Sequence, residues 1–78
     1  MDKEILLSNI NRIHTTKLGK ERIKKNLSIS TDAVSYIKSI IHNNCSVYKI
    51  GKNYYVEFDN IVITINSYNY CIITAHIK

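Results

Sequence analysis

The fold is decided by residues 54–77, which read YYVEFDNIVITINSYNYCIITAHI. β-Branched and aromatic residues alternate with polar ones in this stretch, and a period of two is typical of strands. Short polar connections interrupt it at Asp59-Asn60 and at Ser67-Tyr68-Asn69, and Gly51-Lys52 precedes it. We therefore predict four strands, at 45–50, 53–58, 61–66 and 70–77. Because short connections join strands as hairpins, the sheet should be an antiparallel meander.

Alternation also predicts which side chains share a face of this sheet. One face should be apolar and carry the helices, with these members: Tyr54, Val56, Phe58, Ile61, Ile63, Ile65, Cys71, Ile73, Ala75 and Ile77. The other face should be polar and rich in tyrosine, with these members: Tyr55, Glu57, Thr64, Asn66, Tyr70, Ile72, Thr74 and His76.

Upstream of the sheet, the spacing of apolar residues changes to that of helices. Leu6, Ile10 and Ile13 recur at intervals of four and three, which predicts a first helix over 3–13. A second helix should run over 17–26, capped by one of the threonines at 15–16. We expect three of its side chains to be available for burial: Leu18, Ile23 and Leu27.

The third predicted helix covers 32–43, with Ser30 or Thr31 as its cap. Its apolar face is formed by Ala33, Val34, Ile37, Ile40 and Ile41. Together these elements predict one α+β domain over 1–78. Two to three N-terminal helices, at about 3–43, should pack on one face of a four-stranded antiparallel sheet at about 45–77.

Composition excludes several classes of protein. The 78 residues suit one domain. No run approaches the ~20 apolar residues of a membrane span, and no signal-peptide stretch follows the charged start, so we expect a cytoplasmic protein. Cys45 and Cys71 do not make a disulfide framework or a zinc site, and no carboxylate cluster suits a divalent ion. We therefore expect no metal and no cofactor. The abundance of Ile, Asn, Lys and Tyr suggests a bacterial or phage source.

The net charge of +5 is concentrated in one segment. Six of the eleven Lys and Arg residues lie between positions 12 and 25, with Glu21 as the only acid there. A focused basic patch favours a polyanionic partner such as RNA. The predicted phosphate contacts are Arg12, Lys17, Lys20, Arg22, Lys24 and Lys25. Tyr55 and Tyr70 are predicted to stack on bases. The alternative is a solvated helix face and ordinary cross-strand packing.

Two histidines suggest proton transfer, because histidine titrates near neutral pH. RNA cleavage without a metal needs a base for the 2′-OH, an acid for the leaving oxygen and a cation for the phosphorane. We predict that His14 and His76 share the acid and base roles, that Arg22 holds the phosphate, and that Thr74 donates to it. His14, Arg22 and His76 should then converge on one cleft. The alternative is that both histidines are structural, as we expect of His42.

Three segments carry a family resemblance: IHTTKLGKERIKKNL (13–27), GKNYYV (51–56) and ITINSYNYCIITAH (63–76). They resemble a family of short bacterial proteins of unknown function with a near-terminal ITAH signature, which implies no established activity. The layout also resembles the RelE, colicin and barnase-like toxin ribonucleases, in which N-terminal helices pack on an antiparallel sheet. That resemblance implies catalytic positions at His14, Arg22, Thr74 and His76. This chain departs from it by having no glutamate in an obvious general-base position.

These observations favour a small basic RNA-engaging domain acting as a metal-independent, toxin-like ribonuclease. Two alternatives remain open. The chain could be a non-enzymatic interaction protein, such as a phage or mobile-element inhibitor of a host nucleic-acid-handling complex, using its basic helix or tyrosine face. A protein with an acidic surface would attract the same helix. It could also be an antitoxin-like or oligomerising module that pairs through a sheet edge.

Overall fold

The computed structural model describes residues 2–78 and has three α-helices packed against one four-stranded sheet. The helices are α1 (Asp2–Ser8), a 3-10 helix (Ile10–Arg12), α2 (Lys17–Leu27) and α3 (Ala33–His42). The strands are β1 (Ser46–Ile50), β2 (Asn53–Phe58), β3 (Ile61–Asn66) and β4 (Ile72–Ile77). The spatial order is β1-β2-β3-β4 and each neighbouring pair is antiparallel. The predicted α+β class and meander are confirmed.

The first helix is shorter than the 3–13 predicted. It ends at Ser8, and the Asn9 side-chain amide donates to the Ile5 carbonyl at 2.9 Å. Ser8 Oγ donates to the Glu4 carbonyl at 2.9 Å. These side-chain bonds occupy carbonyls at the helix end, as serine and asparagine commonly do. The chain continues as a 3-10 helix, so Ile10 and Ile13 lie outside α1.

The other two helices begin at capping side chains. The Thr16 hydroxyl accepts a hydrogen bond from the Gly19 N–H at 3.0 Å, which confirms the predicted threonine cap of α2. In α3 the cap is Asp32, whose carboxylate accepts from the Ser35 N–H at 3.0 Å. The prediction of Ser30 or Thr31 was therefore wrong, because α3 begins at Ala33 and only the residue before it is placed to cap.

The core lies between the helices and the sheet. α2 lies along β4 and α1 along β1, while α3 packs against both of these helices. Ile37 of α3 and Ile63 of β3 are both fully buried, as predicted. Leu18 is 64% exposed, so the prediction that it would be buried was wrong. At about 100° per residue, Leu18 lies about 180° round the helix from Leu27.

A β-bulge changes the face of β4 partway along the strand. Ile63 pairs with Ala75 and Thr64 with Thr74, but Ile65 pairs with Ile72, so Ile73 is an extra residue. An extra residue moves every side chain beyond it to the opposite face. The alternation prediction was therefore wrong for this part of the strand. Ile72 is buried, Ile73 is 55% exposed, Tyr70 is buried and Cys71 is half-buried. Ile77 is 44% exposed, at the end of the strand.

The junction between the 3-10 helix and α2 is hydrogen-bonded to the outer edge of β4. The His14 N–H donates to the Tyr70 carbonyl at 3.2 Å, and the Ile72 N–H donates to the His14 carbonyl at 2.8 Å. These bonds form an isolated parallel bridge between His14 and Cys71. They place the start of α2 beside the start of β4.

Candidate functional site

A groove of about 580 Å³ separates α2 from β4. Helix-side residues between Thr15 and Asn26 line one wall, and strand residues 71–75 line the other. At its far end, the Asn26 amide donates to the Ala75 carbonyl at 3.2 Å. This bond ties the C-terminal part of α2 to the edge strand at that end of the groove.

Gly19 determines how closely side chains pack at the end of the groove where α2 begins. A Cβ atom at this position would collide with Thr15 Oγ1 and would lie 3.2 Å from Thr16 Oγ1. Thr15 Oγ1 donates to the Ile72 carbonyl at 3.2 Å, which ties the start of α2 to β4. A glycine inside a helix costs about 1 kcal/mol relative to alanine. Here it leaves room for the Thr15 side chain.

The groove contains two of the four predicted catalytic residues, Arg22 and Thr74. Arg22 is exposed and Thr74 is half-buried. Across residues 2–78, the Arg22 guanidinium makes no hydrogen bond and no ion pair. A guanidinium with five free donors is well suited to bind a carboxylate or a phosphate.

The two predicted acid–base histidines are not brought together. His14 pairs with Cys71 at the start of β4, whereas His76 pairs with Val62 near its end. Five residues of strand at about 3.3 Å each separate the two positions by about 16 Å. Both histidines are exposed, and His14 Nδ1 lies 2.8 Å from the Arg12 carbonyl. The prediction that they converge with Arg22 on one cleft does not match this placement.

Tyr70 and Arg12 contribute to the packing of the β3–β4 turn. Tyr70 is buried, stacks on Tyr54 at 6.3 Å between ring centroids, and lies under the Arg12 guanidinium at 4.6 Å. Arg12 also donates to the Tyr68 carbonyl at 3.3 Å. Tyr70 is therefore not on the open sheet face that alternation predicted, because the bulge in β4 changes that face. A buried ring of this kind cannot stack on a base without rearrangement.

Tyr55 lies on the open face of the sheet, on the opposite side from α2. It is half-buried and stacks on Tyr48 with ring centroids 5.5 Å apart. Beside this pair, Glu57 accepts hydrogen bonds from the Tyr48 hydroxyl and the Lys78 ammonium, each at 2.6 Å. Tyr55 and the basic residues of α2 thus occupy two separate surfaces.

The pKa directions distinguish these two surfaces. The hydrogen bond from Lys78, followed by that from Tyr48, lowers the pKa of Glu57. The same Glu57 bond raises the pKa of Tyr48. On the helical side, the pKa of Asp32 is lowered first by the hydrogen bond from the Ser35 N–H and then by that from the Ser35 hydroxyl. Desolvation opposes these two bonds with a smaller effect, and attraction to Lys20 and Lys24 lowers the pKa further. Lys20 and Lys24 therefore have the Asp32 carboxylate nearby.

The sequence carries signals for two groove residues that were not among the predicted site residues. Gly19 interrupts a helix, and a helix-interior glycine often marks a close approach. Leu18 is apolar but lies off the stripe formed by Ile23 and Leu27. Asn26 and Ile73 carried no such signal, because their roles depend on the bulge and on how α2 docks.

Within residues 2–78, no three His, Cys, Asp or Glu side chains come close enough together to hold a metal ion. None of the helices in this part of the chain has the length and apolar character needed to cross a membrane.

The fold and the groove define a small α+β domain with a basic helix beside its edge strand. Residues 7–76 match the family described as protein of unknown function (DUF3781), and the chain belongs to that family. The predicted membership of a family of unknown function is thereby confirmed. Comparison with curated proteins and with solved structures gave no match.

Proposed function

We propose that this chain is a small RNA-engaging domain that binds the phosphates of single-stranded RNA through α2. The observation that supports this is the exposed surface of the helix. Lys17, Lys20, Arg22 and Lys25 are all exposed, and Glu21 is the only acidic residue in α2. No ion pair involving these four cations is found within residues 2–78.

The arrangement of the lysines suits an extended polyanion. Lys17, Lys20 and Lys24 follow one another at intervals of three and four, so they form a stripe along one side of the helix. Lys17 and Lys24 are seven residues apart, which is about 10 Å along the helix axis. Asp32 lies near the Lys20–Lys24 part of this stripe. Glu21 is four residues from both Lys17 and Lys25, but neither lysine forms an ion pair within residues 2–78.

The proposal is for binding rather than cleavage. The two histidines predicted to share acid and base roles lie at opposite ends of β4, although Arg22 and Thr74 do share the groove. The resemblance to toxin ribonucleases stays a prediction, and binding does not depend on it.

The proposal is tested by fluorescence anisotropy with a labelled single-stranded RNA across a salt series. Engagement of four phosphates gives a slope of log affinity against log salt of about −3. The double variant Lys17→Gln/Lys25→Gln removes two contacts and should reduce the slope by about 1.4 in magnitude. The matched control, Lys49→Gln/Lys52→Gln, removes the same charge from β1 and the β1–β2 turn, and should change the slope far less.

Two results would contradict the proposal. One is the absence of detectable binding at low salt. The other is an equal loss in both double variants, which would indicate attraction by net charge alone. An acidic peptide that competes as effectively as RNA of equal charge would favour the alternative of a protein partner with an acidic surface.

A further inference from the structure

We propose that the groove between α2 and β4 holds one unpaired nucleotide of the bound RNA. Its base would lie against the apolar side chains and its phosphate on Arg22. This inference rests on the proposed RNA binding and adds to it a preference for nucleotides that are not paired.

The size and lining of the groove suit a nucleotide. Its volume of about 580 Å³ lies within the usual range for small-molecule sites. Leu18 and Ile73 both line it, and they are 64% and 55% exposed. A flat base placed against these two side chains would remove apolar surface from water. Thr74 and Asn26 supply polar groups nearby for the edge of a base.

Arg22 supplies the charge that a nucleotide requires. It lines the groove and makes no ion pair with any residue in the described part of the chain. A planar guanidinium binds phosphate oxygens through two parallel hydrogen bonds. On the same helix, Lys25 and Lys17 can continue the contacts to neighbouring phosphates.

The outer edge of β4 is not open to an added peptide strand. Strand addition uses outward-facing backbone N–H and C=O groups in succession. The Ile72 N–H donates to His14 and its carbonyl accepts from Thr15, while the Ala75 carbonyl accepts from Asn26. Ala75 has no exposed surface. The groove therefore favours a compact planar group over an extended peptide.

The test compares oligouridine with an abasic RNA of the same length, which has the same charge but no bases. The wild-type protein should bind oligouridine at least about five times more tightly, near the lower end of the effect of one stacked base. It should also bind single-stranded RNA more tightly than a duplex, because a paired base cannot enter the groove.

The decisive variant is Leu18→Ser/Ile73→Ser, which keeps the net charge and changes only exposed positions. It should reduce the preference for oligouridine to less than about twofold and leave the salt slope unchanged. Ile50→Ser is the matched control, since Ile50 is 62% exposed on β1 and far from the groove. It should keep the full preference.

Failure of this inference can be told apart from failure of RNA binding. Equal affinity for oligouridine and abasic RNA, with a steep salt slope retained, would overturn the groove inference and leave the proposed function in place. No salt-dependent binding of either RNA would overturn both. A double variant that loses affinity for an acidic peptide, but not for RNA, would assign the groove to a protein partner instead.

Discussion

The open face of the sheet and the exposed surface of α2 differ in how their charges are balanced. On the open face, Glu57 accepts from both Tyr48 and Lys78. On α2, Lys17 and Lys25 have no ion-pair partner within residues 2–78. The Glu57 carboxylate of the first surface is thus paired, whereas Lys17 and Lys25 of the second are not, in the described part of the chain. A ligand that gains from electrostatic attraction is therefore better served by α2.

The backbones beneath these two surfaces differ as well. β1 and β2 pair without interruption, from Ser46 with Glu57 to Ile50 with Asn53. β3 and β4 change register beside Ile73. Bulges of this kind are common at sheet edges and next to binding sites, where they redirect a side chain. In this domain the redirected side chain is Ile73, which lines the groove.

The largest expected effect tests the bulge itself. Ile72→Ala should destabilise the protein by about 2–5 kcal/mol, as Ile63→Ala should in the regular part of the sheet. Ile73→Ala should change stability by less than about 0.5 kcal/mol, because this side chain is largely exposed. Urea denaturation of the three variants measures the differences. If Ile73→Ala lowers the free energy of unfolding more than Ile72→Ala does, β4 pairs without a bulge and does not differ from the β1–β2 pair in this respect.

A change of about 1 kcal/mol in the free energy of unfolding is expected at the end of the groove where α2 begins. Replacing Gly19 with alanine should gain helix propensity, but in the wild-type chain it displaces the Thr15 hydroxyl from the Ile72 carbonyl. Gly19→Ala should therefore be neutral or destabilising alone, and stabilising by about 1 kcal/mol in a Thr15→Ala background. Thermal or urea unfolding of the wild type, the two single variants and the double variant completes a double-mutant cycle. If Gly19→Ala changes the free energy of unfolding equally with Thr15 and with Ala at position 15, the two residues are not coupled.

The smallest effect belongs to the open face and depends on pH. Because the folded-state pKa of Glu57 is lowered, its contribution to stability is fully present above the ordinary pKa of a glutamate and is lost as pH falls through the folded value. Glu57→Gln should reduce the loss of stability at acidic pH, and added salt should shrink the difference, since the Glu57 side chain is only half-buried. The urea midpoint followed from neutral to acidic pH measures this. If the urea midpoint falls with pH equally in Glu57→Gln and in the wild type, the cluster of Glu57 with Tyr48 and Lys78 does not contribute to the pH dependence of stability.

Much of the fold was predictable because its signals are local. The change of period near residue 44 and the short connections at 51–52 and 59–60 were sufficient for the meander. The face of Ile72 was not predictable, because the bulge depends on pairing with β3 and with the distant His14. The cap of α3 was missed by one residue, at Asp32 in place of Thr31.

The candidate site was predictable only in part, for the same physical reason. Arg22 and Thr74, two of the four predicted catalytic residues, line one groove. His14 and His76 do not meet, because where the junction before α2 docks along β4 is set by tertiary contacts. Spacing along the chain orders residues within a strand, but it does not fix which end of that strand a distant segment contacts.

The hydrogen bonds between the His14 segment and β4 also bear on how the domain opens. They join residues 56 and 58 positions apart in the chain, and the Thr15–Ile72 bond joins residues 57 positions apart. The edge strand therefore cannot peel away without releasing the start of α2, and α2 cannot undock without exposing the edge strand. Partial opening should be rare at this side of the molecule, so the Ile72 amide should exchange its hydrogen with solvent only in large, cooperative openings. Forming a contact of this sequence separation also requires closure of a long loop, which is expected to slow folding relative to a domain built from hairpins alone.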